Sequence, residues 1–181
     1  MKTRIVCLLG VILCHWPVDS AAQGAKTNAT DTAAAPQKKS TVLTFKQPSF
    51  TFVRVRYTNQ NLRGWTWATD FPDADLAIST RFQKETGLKT NPEVKVAELT
   101  DPNLKDYPFL YIAEPGDMEL NPTDASKLRE YLLGGGFLMV DDFWGERQWK
   151  GFYRQFKKVF PDREPVDLSI DHPIFHCLFD L

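Results

Sequence analysis

Asp141 and Asp142 stand side by side directly after an apolar run, Phe137 to Val140, and Glu114 follows another, Phe109 to Ala113. Carboxylates at the ends of buried strands can move a proton, hold a cation or accept hydrogen bonds from a ligand. Arg56, Tyr57 and Asn59 close an earlier alternating segment. These residues together predict a polar rim of mixed charge. Neighbours in an extended chain point to opposite faces, so Asp141 and Asp142 are not expected to act as a simple pair. One is expected to face a ligand or metal, while the other caps the following helix, where a carboxylate gains ~0.3 to 1 kcal/mol. Arg54 and Arg56 share one strand face, and a guanidinium beside a covered sheet needs a carboxylate or a ligand anion. Glu114 and the Asp141-Asp142 pair are the expected partners.

His172 lies between Asp171 and Pro173, on a turn that Pro173 holds away from helix. It is either a turn residue bonded to Asp171 or, with Asp142, half of an acid–base pair. His176 follows at i+4, a spacing that signals zinc only on a helix, and no metal site is expected. Trp65 and Trp67 flank one residue in a loop, where aromatic rings either stack on a ligand or close over the core. The glycines Gly134 to Gly136 precede a strand rather than a helix, which excludes a phosphate-cradling loop. No cofactor is expected.

Phe50 to Tyr57 alternates, with Thr51, Val53, Val55 and Tyr57 on one face, and predicts the first strand. A helix follows, capped by Asp73 after Pro72, with Ala74, Ile78 and Phe82 as its apolar stripe and Gly87 at its end. Glu93 to Leu99 predicts a second strand, and Phe109 to Ala113 a third that is buried on both faces. Asn121 and Pro122 open a helix whose stripe is Ala125, Leu128 and Leu132, with Gly134 as its stop. A fourth strand spans Phe137 to Val140. A last helix runs from Glu146 to Phe160, placing Trp149, Phe152, Tyr153, Phe156 and Phe160 inward and Lys150, Arg154, Lys157 and Lys158 outward. Such alternation predicts an α/β three-layer sandwich with a mainly parallel sheet. Ligands of such sheets bind beyond the carboxyl ends of the strands.

The N-terminus has the pattern of an export signal over residues 1–22. Lys2 and Arg4 precede an apolar run from Ile5 to Trp16, and Ser20-Ala21-Ala22 sets up cleavage before Gln23. The run is too short for a membrane anchor, so the mature chain has no expected transmembrane segment. Residues 23–47 are rich in Ala, Thr, Lys and Gln without hydrophobic period and read as a disordered tether. Residues 48–181 then form one domain, which breaks off within an apolar segment and so reads as a fragment. Removing the six basic and two acidic residues before Pro48 from the totals of 22 and 23 leaves 16 against 21. That excess of acid argues against a nucleic-acid partner. Of the three cysteines only Cys177 survives cleavage, so no internal disulfide forms, and a small buried hydrophobe is its expected role.

Phe50-Thr-Phe-Val-Arg-Val-Arg-Tyr57, Asp70-Phe-Pro-Asp-Ala-Asp75, Tyr107-Pro-Phe-Leu-Tyr111, Leu128-Arg-Glu-Tyr-Leu132, Gly134-Gly-Gly-Phe-Leu-Met-Val-Asp-Asp142 and Asp171-His-Pro-Ile-Phe175 occur in that order. The chain from Phe50 to Leu181 resembles the bacterial domain-of-unknown-function family 4159. The resemblance implies a class I glutamine amidotransferase-like (flavodoxin-like) fold in an exported or membrane-associated protein, with a distant similarity to trehalose-utilisation-like proteins. In the amidotransferases the fourth strand leads to an elbow with a nucleophilic Cys, whereas here the elbow reads Asp141-Asp142-Phe143. Amidotransferase chemistry is therefore not expected.

Two functions fit these residues. One is a non-catalytic module of the cell envelope, secreted or periplasmic, that binds a small molecule, a carbohydrate or an envelope protein. The other is a hydrolase of carbohydrate or peptide acting through Asp142 and His172. The expected ligand contacts are Arg56, Tyr57, Asn59, Trp65, Glu114, Asp141 and Asp142.

Overall fold

A computed structural model describes residues 6–8, 49–59 and 66–178. Residues 23–47, most of residues 1–22, and Trp65 lie outside the described residues. The elements in chain order are β1 (Val6–Leu8), β2 (Val53–Val55), β3 (Thr58–Asn59), α1 (Asp73–Thr86), β4 (Lys95–Ala97), β5 (Phe109–Ala113), β6 (Met118–Glu119), α2 (Pro122–Leu133), β7 (Phe137–Asp141) and α3 (Gly145–Val159).

The main sheet has the order β1-β7-β5-β2-β4. Its four inner-chain strands are parallel, with Val53 opposite Lys95, Arg54 opposite Tyr111 and Phe109 opposite Phe137. From β2 the chain steps outward to β4, returns past β2 to β5 and continues to β7. The direction of winding therefore reverses between β2 and β5, and an open parallel sheet forms its crevice at the carboxyl ends of such strands. β1 lies antiparallel along the outer edge of β7, with Val6 opposite Val140. Cleavage before Gln23 would remove β1 and bare that edge, and bare edges invite pairing by other chains.

Side chains of successive strand residues divide the core in two. Val53, Val55, Leu110, Ile112, Leu138 and Val140 face α2 and α3, whose Ala125, Leu128, Leu132, Phe152 and Phe156 are buried against them. On the other side Phe52, Tyr111 and Ala113 form a smaller cluster with Phe50, Phe109 and Met139. α2 matches the expected boundaries and stripe: Asn121 Oδ1 accepts the Asp124 amide while Asp124 Oδ2 accepts the Asn121 amide, a reciprocal cap. Glycine is required where α3 crosses the turn after β5, because a Cβ on Gly151 would lie 2.0 Å from the Gly116 carbonyl oxygen. Gly136 is required as well, since a Cβ there would meet the Tyr131 ring at 2.2 Å.

α1 departs from expectation by one position around its axis. Asp75 and Ser79 are its buried residues, whereas Ile78 is 40% exposed, so Ala74 and Ile78 do not lead the stripe. Asp73 does not cap it either: the helix begins after Pro72 without a side-chain cap. The reason is Arg54, which is 1% exposed on the sheet face beneath α1. Its Nη2 donates to Asp75 Oδ2 at 2.6 Å and its Nε reaches both carboxylate oxygens at 3.0 Å. A buried guanidinium without a carboxylate costs several kcal/mol, more than one apolar contact returns. The ion pair therefore sets the helix rotation. The partner is Asp75, not Glu114, Asp141 or Asp142.

Candidate functional site

A cavity of about 620 Å³ opens at the carboxyl ends of β2 and β4. That volume suits a small ligand. Arg56, Tyr57, Thr58 and Asn59 line it as the chain leaves β2, and Glu98, Leu99 and Thr100 as it leaves β4. Leu120, Asn121 and Asp124 at the start of α2 form the opposite wall, and Trp67 closes one side.

Each wall is held from behind. The remaining Arg54 nitrogen, Nη1, donates to the carbonyls of Trp67 and Thr69 at 3.0 Å, so the buried ion pair fixes the turn that carries Trp67. Thr69 in turn donates to Glu114 Oε1 at 2.6 Å. On the α2 side, Gln155 is fully buried and its Oε1 accepts the Leu120 amide at 3.0 Å. Lys158 Nζ donates to Glu119 Oε1 at 2.6 Å and to the Leu120 carbonyl at 2.9 Å. Lys158 thus anchors the wall rather than simply facing water.

Tyr57 presents its ring, not its hydroxyl, to the cavity. The phenol donates to the carbonyls of Ala113 and Glu114, both at 2.9 Å, and is 2.8 Å from Thr66 Oγ1, which accepts from Asn59 Nδ2 at 3.1 Å. A relay of one polarity runs from Asn59 through Thr66 to Tyr57, plugging the crevice between β2 and β5. Burial pushes the Tyr57 phenol well above its ordinary range, as it does that of Tyr131. Burial first, and then the Asp141 carboxylate, push Tyr111 up to about 12.

These three phenols prefer the neutral form in the folded state. Their contribution is whole below the unfolded value of about 10 and is lost as pH rises toward and through the folded values. The urea midpoint should stay level to about pH 9 and fall above about pH 10, in step with tyrosinate absorbance. A midpoint that falls between neutral pH and about pH 9 would contradict this assignment.

The other half of the rim does not line the cavity, although Glu114 backs it through Thr69 and Tyr57. Glu114 and Asp142 end the neighbouring strands β5 and β7, both with left-handed backbone (φ 45° and 60°), and the Glu114 amide donates to the Asp141 carbonyl at 2.9 Å. Asp142 is therefore not in an extended segment. Its amide donates to Asp141 Oδ1 at 2.7 Å, and its own Oδ1 accepts the Trp144 indole at 2.9 Å. Neither aspartate caps α3, whose N-cap is Trp144 without a side-chain cap bond. Non-glycine residues with positive φ store strain and concentrate at functional sites.

The family model described as a domain of unknown function, DUF4159, matches residues 51–181. The chain belongs to the DUF4159 family. No curated protein matches it. Within this DUF4159 domain the expected ligand residues divide: Arg56, Tyr57 and Asn59 line the cavity, while Glu114, Asp141 and Asp142 form the second cluster at β5 and β7. His172 stands apart, on a short turn before Pro173, where its Nδ1 accepts the Ile174 amide at 3.2 Å rather than bonding Asp171. Arg56 does not share the fate of Arg54. It lies past the last paired residue of β2 and meets Glu98 in an exposed ion pair, Nη2 to Oε1 at 2.5 Å. Cys177 is exposed, not buried. Among the described residues no group of three or more His, Cys, Asp or Glu is placed to hold a metal.

Glu98 to Thr100 escaped the sequence reading although the rule about strand ends, applied to β4, points to them. Asn121 was legible only as a cap, and Asp124 carried no sequence signal of a site. Nothing local in the sequence says that the capped end of α2 faces the end of β2.

Proposed function

We propose that this DUF4159 domain is an exported, non-catalytic binding module of the cell envelope whose ligand occupies the cavity between β2, β4 and α2. The observation that carries the reading is the cavity itself, which opens at the carboxyl ends of β2 and β4, next to the switch-point crevice that the Tyr57 relay fills, and has walls held by buried polar bonds. Prepaid ordering of those walls favours affinity. The finer fold reading, a glutamine amidotransferase-like sheet, is supported by the sharp β7–Asp142–α3 junction with φ 60° at Asp142. In that fold the junction carries a thiol, and here it carries a carboxylate bound by Trp144.

The hydrolase reading requires Asp142 and His172 to work together. Asp142 is bonded to Trp144 and His172 to the Ile174 amide, and no hydrogen bond joins the two. The geometry therefore favours binding over catalysis.

Protein recovered from a secreting host, whose N-terminus mass spectrometry should place at Gln23, is the material for the test. A mixed set of neutral, anionic and cationic metabolites is screened by NMR for shifts of the Asn59 and Asn121 side-chain amides. At least one compound should shift both and lose its effect in Thr100→Trp, which fills the cavity from an exposed position and should change stability by no more than about 0.5 kcal/mol. Hits that bind the folded Thr100→Trp protein equally well would place the ligand elsewhere.

A further inference from the structure

We infer that the cavity takes a neutral, polyhydroxylated ring, such as a pyranose sugar, and discriminates against phosphates and carboxylates. The inference rests on the reading of the cavity as the binding site and names its ligand class.

Three features decide the sign of charge. Arg56 is the one guanidinium among the lining residues, and Glu98 already holds it through Nη2 at 2.5 Å and Nε at 3.1 Å. Asp124 adds a second carboxylate, so the lining carries one positive and two negative groups. The N-terminus of α2, which would otherwise attract an anion, is mostly occupied: Asp124 accepts the Asn121 amide, the Asn121 side chain accepts the Asp124 amide, and Pro122 has no N–H, which leaves the Thr123 amide to face the Asp124 carboxylate's charge nearby. An entering anion would have to share Arg56 with Glu98 and lie beside two carboxylates. Such a like-charge placement excludes the wrong ligand.

The remaining features decide the shape. The half-buried Trp67 supplies the apolar surface, beside small edges of the otherwise buried Leu99, Leu120 and Tyr57, whose hydroxyl is turned away into the sheet. Around them stand planar hydrogen-bonding groups: the Arg56–Glu98 fork, the two asparagine amides, and the Asp124 carboxylate. A ring with C–H groups on its face and hydroxyls at its edge meets both kinds of surface at once. Hydroxyls donate to the carboxylates and accept from the amides, so neither protein charge has to be left unpaired.

The experiment titrates the protein with glucose, galactose, N-acetylglucosamine and cellobiose, and with glucose 6-phosphate and glucuronate, reading the Asn59 and Asn121 side-chain amides. At least one neutral sugar should give saturable shifts that are insensitive to salt, and the charged analogues should bind about tenfold more weakly or not at all. Glu98→Gln frees Arg56 on an exposed surface and should narrow the gap between glucose and glucose 6-phosphate. Equal or tighter binding of the phosphate or glucuronate by the unaltered chain overturns the inference and leaves the cavity reading standing. If none of these sugars moves the amides while metabolites of other chemistry do, the ligand class is wrong and the site is right. If nothing in either set moves them, the cavity reading falls and takes this inference with it.

Discussion

Asp75→Ala should destabilise the domain by roughly 3 to 5 kcal/mol, because it leaves the Arg54 guanidinium buried without its carboxylate. Arg54 and Asp75 are each 1% exposed, so water cannot replace the lost partner. The guanidinium is also packed 5.0 Å from the centre of the Tyr111 ring and 5.7 Å from that of Phe71, which hold it in place rather than let it turn outward. Urea unfolding should show the loss, and the double variant Arg54→Met/Asp75→Leu should recover most of it, since apolar replacement of a whole buried pair is often neutral or better. The double variant nonetheless removes the two bonds to the carbonyls of Trp67 and Thr69. It should therefore fold and still bind any cavity ligand more weakly than the unaltered chain. An Asp75→Ala protein within about 1 kcal/mol of the original would show that the pair does not hold α1 to the sheet.

Phe156→Ala should cost roughly 3 to 5 kcal/mol, in the range for large aromatic truncations in a core. Phe156 is 6% exposed and lies in a line of rings from Phe152 to Phe160, with centroids 6.2 and 5.7 Å away. Its side chain also borders an apolar void of about 20 Å³ shared with Leu128, Leu132 and Val140, so truncation enlarges an existing gap that no polar group can help water to fill. Trp149→Ala, on the same stripe, should cost less, because Trp149 is only half-buried and packs mainly on Phe143 and Phe152. Thermal and urea denaturation of the two variants measure the difference. Equal losses would mean that Trp149 is as much part of the core as Phe156.

The contrast between those two residues marks how far periodicity reaches. The i, i+3, i+4, i+7 spacing in α3 located the inward face correctly, yet it weighs every aromatic on that face alike. Depth along the face depends on what lies opposite. Phe156 meets the strands, while Trp149 sits near the helix start beside the exposed Trp144. In α2 the local signals were sufficient for boundaries as well, because Asn121, Pro122 and Gly134 act on the backbone within one turn of themselves. α1 shows the opposite case. Its apolar stripe is weak, and a long-range charge 21 positions away in sequence outweighed it.

The α/β class, the parallel sheet, and the placing of Arg56, Tyr57 and Asn59 where the first strand ends were determined by sequence alone, through patterns that act over a few residues. The pairing of Arg54 with Asp75, the division of the rim into a cavity at β2 and β4 and a strained acidic corner at β5 and β7, and the contribution of Leu120, Asn121 and Asp124 were decided only by tertiary structure. Strand order is the physical reason. The reversal of winding between β2 and β5 sets which strand ends are neighbours and which helix start faces them, and that order depends on packing between segments too far apart in sequence for any local pattern to record it.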